Sequence, residues 1–97
     1  MKKDKTTEPQ KPSLDVKAYA DKANDSARDF VARLGEAILT LPRIKEKTQD
    51  AADAKAFKML DECFNAFVKA QSDAIKFAVA QICSDMGIEK SFYPLDN

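Results

Sequence analysis

An all-α fold follows from three features of the sequence. Glycine totals 2 and proline 4 in 97 residues, so little in the chain interrupts a helix. Two stretches repeat apolar residues at alternating three- and four-residue steps, and Pro42 separates them. The expected architecture is a long antiparallel helical hairpin over residues 13–88 that dimerises into a four-helix bundle. A disordered tail over residues 1–12 would precede it and a C-terminal tail over residues 89–97 would follow. The alternative is a monomeric three-helix bundle, in which the second stretch breaks near Ser72 and its hydroxyl caps a third helix.

The elements justify themselves in chain order. Residues 1–12 carry Lys2, Lys3, Lys5 and Lys11 against Asp4 and Glu8, with two prolines and no apolar anchor after Met1. Ser13 suits an N-cap and Asp15 the positive end of the helix dipole, which predicts a helix from about Leu14. Val16, Ala20, Ala23, Ala27, Phe30, Leu34, Ala37 and Leu41 form its seam, flanked by Tyr19, Val31 and Ile38. That arc of about 120° is enough for one neighbouring helix. Mixed charges, among them Arg28, Asp29, Arg33 and Glu36, occupy the outer face together with Gly35. Pro42 ends the helix, because it drives Leu41 from the α region and has no N–H to return to the preceding turn.

A loop is expected over residues 42–49, with Thr48 or Asp50 capping a second helix over residues 50–86. That stretch holds neither glycine nor proline and opens with Ala51, Ala52, Ala54 and Ala56, all strong helix formers. Its apolar phase continues across Ser72, which favours one helix over two. Gly87 fits the left-handed position after a helix, and Ile88 fits the apolar position that follows it in a Schellman motif. In the last segment Phe92, Tyr93 and Leu95 are too apolar for an inert end, so they should fold back on the hairpin or dock on a partner.

Composition removes most chemistry. The chain has no histidine, which excludes imidazole metal sites, His-based triads and the Glu-x-x-His di-iron motif. Cys63 and Cys83 lack C-x-x-C spacing. On one continuous helix they would stand about 30 Å apart, beyond bridging, and are expected as buried thiols. Gly35 and Gly87 stand alone, so there is no phosphate loop. No catalytic residue, metal or other cofactor is therefore expected, and the protein is read as a non-enzyme.

Sixteen basic residues balance sixteen acidic ones, so no long-range field draws the molecule onto nucleic acid or an anionic membrane. With no apolar leader near the N-terminus and no membrane-length apolar run, the expected location is the cytoplasm. Arg43, Lys45, Lys47, Lys55 and Lys58, opposed by Glu46, Asp50 and Asp53, are the richest basic segment and the basis of an alternative reading as an RNA-binding hairpin.

The decisive feature is a mismatch. Between residues 57 and 86 the apolar side chains of the second stretch cover roughly 180 to 200° of a helical wheel, more than the first helix can cover. Lys58, Asp61, Glu62, Asn65, Lys69, Ser72, Asp73 and Lys76 fill the opposite arc as a solvated face. Phe57, Leu60, Phe64, Phe67, Gln71, Ile75, Phe77 and Ile82 are the expected interaction face, presented to a second copy of the chain or to a heterologous protein. Gln71 lies within this arc near the middle of the stretch, close to where a twofold axis would fall, and is expected to meet its own symmetry mate or a backbone carbonyl. The function this predicts is protein–protein contact, as a small regulator, inhibitor, adaptor or chaperone.

Overall fold

Two helices account for the fold in the computed structural model, which describes residues 14–95. Helix α1 (Val16–Thr40) runs into a single 3₁₀ turn (Leu41–Arg43), and helix α2 (Gln49–Asp85) returns antiparallel against α1. The tail expected over residues 1–12, the Ser13 cap and the last two residues lie outside the described part. Asp15 is the cap of α1, its carboxylate accepting the Ala18 N–H at 3.1 Å, so the helix opens slightly later than the sequence suggested. Pro42 sits inside the 3₁₀ turn and, against the expectation, leaves Leu41 in the α region at φ −53° and ψ −44°, because proline's fixed φ also suits such a turn; the chain becomes extended only at Ile44. Thr48 then caps α2, accepting the Ala51 N–H at 3.1 Å.

Helix α2 keeps its 37 residues without interruption, and the three-helix alternative with a break near Ser72 is not adopted. It ends in the expected Schellman geometry. The Ile88 N–H reaches the Cys83 carbonyl at 2.8 Å and the Gly87 N–H reaches Ser84 at 3.0 Å, with Gly87 at φ 78°. Among the described residues no helix is long and apolar enough to cross a membrane.

The molecule is a rod of 72 × 21 × 18 Å. Its radius of gyration is 20.3 Å, whereas a compact domain of this size would have about 12 Å. A two-helix rod has no enclosed interior, and among the described residues no large side chain is fully buried. What is buried is small. On α2, Ala52, Ala56, Met59, Cys63, Ala66, Ala70, Asp73, Phe77 and Ala80 alternate four- and three-residue steps, and all are buried or half-buried. On α1, Tyr19, Ala23, Ser26, Phe30 and Ala37 face them. The Cys63 thiol lies 3.4 Å from the Arg33 carbonyl, to which it donates, and both cysteines are free and buried.

This seam is rotated from the one expected on α1. Tyr19 is buried rather than flanking, while Ala27 and Leu34 are exposed. The seam of α2 consists mostly of alanine and cysteine, and against it α1 turns Ser26 and Ala37 inward rather than its branched side chains. Asp73 is a second correction. It was placed on the solvated arc but is 3% exposed, at the seam's edge. There it accepts a hydrogen bond from the Ser26 hydroxyl and a second, at 3.0 Å, from the Lys69 ammonium, itself 3.4 Å from Ser26. Burial opposes ionisation of Asp73. The hydrogen bonds from Ser26 and Lys69, with the charges of Lys69 and Lys22, outweigh it and hold the carboxyl below its ordinary range.

The C-terminal segment folds back. The Tyr19 hydroxyl donates to the Tyr93 carbonyl at 2.8 Å, tying residue 93 to the first turn of α1, and Leu95 is half-buried while Phe92 stays exposed.

Two predictions follow from these geometries. Gly87→Ala forces a side chain into left-handed backbone and should cost about 1 kcal/mol, whereas Gly35→Ala, where an added Cβ has nothing within 4 Å, should gain up to about that much; urea unfolding of both variants measures this. Asp73 ionises more readily folded than unfolded, so its contribution is complete above the ordinary carboxylate range and is lost as pH falls through the folded value. Asp73→Asn should lose about 1 to 3 kcal/mol near neutral pH, and its disadvantage should shrink in acid, as paired unfolding curves at about pH 7 and about pH 3 would show.

Candidate interaction face

The seam has two unlike edges. On one, the rings of Phe30 and Phe67 meet with centroids 5.3 Å apart. On the other, the Arg33 guanidinium reaches the Glu62 carboxylate at 4.0 Å while its Nε bonds Asp29 at 3.0 Å. A shallow groove of about 280 Å³ on this polar edge is lined by Asp29, Arg33, Glu62, Asn65, Ala66 and Lys69. Charges of both signs face water there, which gives a solvated surface rather than a docking surface for one kind of ion.

Beyond the Phe30–Phe67 edge the large apolar side chains of α2 stand in water. Phe57 is 67% exposed, Phe64 61%, Ile75 57% and Ile82 57%, with Leu60, Phe67 and Val68 between 38% and 47%. Gln71 is exposed among them. Of the expected face, Phe77 alone turns away, because it belongs to the seam that packs on α1.

Helix α1 adds residues that reading each helix separately did not assign to the face. Seen from one end, antiparallel helices wind in opposite senses, so residues displaced the same way around each wheel from the seam share one side. Val31, Leu34 and Ile38 on α1 are displaced from the seam in the same sense as Phe57, Leu60 and Phe64 on α2. All three are exposed. The result is one apolar face spanning both helices, continuous across the Phe30–Phe67 contact. The sequence showed the apolar character of these three residues but not their side, because that depends on the phase of the seam, where Leu34 was expected.

Beside Gln71 the face meets the C-terminal segment. Tyr93 joins Val68, Gln71, Ser72, Ile75 and Lys76 around a cavity of about 380 Å³. Of the three expected docking residues, Tyr93 bonds to α1 through its carbonyl while staying 48% exposed, Leu95 is half-buried, and Phe92 is the most exposed at 83%.

The basic segment is exposed throughout, at Arg43, Lys45, Lys47, Lys55 and Lys58. Lys55 is bound to Glu46 at 3.1 Å. Among the described residues no three His, Cys, Asp or Glu side chains converge as a metal site would require. No family model, curated protein or solved structure matches this chain.

An amide at the centre of an apolar face costs stability against a hydrophobic residue even where it pairs with a counterpart, and in exchange it can fix register. Gln71→Leu should therefore raise the melting temperature and loosen the choice of a single oligomeric state, read by thermal denaturation alongside light scattering; a marked drop in melting temperature would refute this role for Gln71.

Proposed function

We propose that the chain is a non-enzymatic protein–protein interaction module, a small regulator, inhibitor, adaptor or chaperone, that assembles by pairing the apolar faces of two hairpins into a four-helix bundle. The observation that carries this reading is the face itself. It holds ten large apolar side chains, seven on α2 and three on α1, each at least 38% exposed. Soluble monomers seldom expose apolar patches beyond a few hundred Å². A hairpin whose own seam holds alanine, cysteine and a few larger residues gains little from its internal core, so covering this face supplies the larger share of apolar burial.

A second copy suits the need because it brings a face of the same length and composition, and pairing two hairpins makes the antiparallel bundle that isolated helix pairs lack. Two free, buried thiols fit a reducing compartment, which supports placing the protein in the cytoplasm.

Multi-angle light scattering on the full chain should report twice the monomer mass at micromolar concentration. Phe64→Glu puts a charge into the face without touching the seam, and should return the chain to a monomer that keeps its helical circular dichroism. A wild-type monomer at high concentration would overturn the dimer.

A further inference from the structure

The exposed face of α2 has a symmetry that specifies how two copies meet. Taking Gln71 as origin, Phe67 and Ile75 lie four residues to either side, Phe64 and Ala78 seven, and Leu60 and Ile82 eleven. All seven positions are exposed. We propose that two copies pair their α2 helices antiparallel with the twofold axis passing between the Gln71 side chains; this rests on the dimer reading above and adds its register.

The sizes agree with the spacing. In that register Phe64 of each copy meets Ala78 of the other, so the largest side chain faces the smallest, while Phe67 meets Ile75 and Leu60 meets Ile82. Three residues from the axis, Val68 meets Ala74. A parallel pairing would instead set Phe64 on Phe64 and Ala78 on Ala78, crowding one end and leaving a void at the other. Sliding the antiparallel pair by one heptad would set Gln71 against Phe64 or Ala78, with no group to receive its amide. Only with the axis at Gln71 do both amides find a partner, each other.

Shape and area point the same way. A cavity of about 380 Å³ lined by Val68, Gln71, Ser72, Ile75, Lys76 and Tyr93 leaves space beside Gln71 for a side chain of the second copy. The exposed side chains of the face present on the order of 1,000 Å² per copy, against the roughly 800 Å² that each partner contributes to a stable interface of standard size. A twofold contact also closes on itself, so assembly stops at two.

Nitroxide labels at positions away from the face test the register. In full chains with Cys63→Ala and Cys83→Ala, single cysteines at the exposed Lys58, Ser72 and Ser84 would carry the label. Lys58 and Ser84 each lie 13 residues from Gln71 and Ser72 lies one away. At about 1.5 Å per residue the axial separation between copies should be roughly 39 Å at both outer sites and only about 3 Å at Ser72, to which the width of the bundle adds. Double electron–electron resonance should therefore give one short and two long, matching distances. Should the alanine background unfold, Gln71→Cys in the chain with its native buried cysteines is the second measurement, and mild oxidation should link it into a covalent dimer while Phe64→Cys stays unlinked. Equal distances at all three sites, or cross-linking at Phe64 but not at Gln71, would overturn this register and leave the dimer standing. A chain that is monomeric by light scattering would overturn both.

Discussion

A seam built largely from alanine and cysteine is the constraint on which the rest of this structure depends. Ala37 on α1 and Ala66, Ala80, Cys63 and Cys83 on α2 are among the most deeply buried residues of the molecule. Small side chains allow close approach of two helices, and close approach leaves no room between them for phenylalanine, leucine and isoleucine in number. Those residues occur in the sequence nonetheless, and the helical repeat puts them on one flank of the seam. The two-sided character of the rod, apolar on one flank and charged on the other, is thus a packing consequence of which residues fit in the middle.

A seam built largely from small residues resists sliding only weakly, since few large side chains interlock across it. Ser26 and Asp73 remove that freedom. A shift of seven residues would set Ser26 near Ala66 or Ala80 and leave the Asp73 carboxylate buried without its hydroxyl donor. Lys69, one turn away on the same helix, keeps its ammonium partly in water while neutralising the carboxylate. One polar contact therefore fixes the internal register of the hairpin, in the way a buried polar residue fixes alignment in coiled coils.

Much of the backbone was legible in the sequence because its signals are local. Thr48 caps the second helix and Gly87 stops it with the expected pair of hydrogen bonds, whereas Pro42 marks the end of the first helix but lies in a 3₁₀ turn that leaves Leu41 in the α region. The phase of the seam was harder to read. An apolar arc wider than one neighbour can cover does not say which of its edges that neighbour takes, and large residues such as Leu34 draw a wheel-based seam toward themselves. Asp73 was hidden for a related reason. It lies at the border between the apolar and charged arcs, and its partner Ser26 is 47 residues away, so only the tertiary pairing shows that the two meet. The candidate face was legible on α2 except for Phe77, while the share from α1 required placing both wheels in one antiparallel frame.

The contact between Tyr19 and Tyr93 has a consequence for how the rod comes apart. A helical hairpin closed only by its loop behaves like a zipper, free to fray from the open end, where α1 begins and α2 stops. Here the chain beyond Gly87 returns and fastens that end, the Tyr93 carbonyl holding the Tyr19 hydroxyl at 2.8 Å. Unzipping must then begin by releasing the clasp or by melting the rod's middle, where the Ser26, Asp73 and Lys69 contacts lie. Both ends of the rod are thus closed, one by the connection and one by the strap.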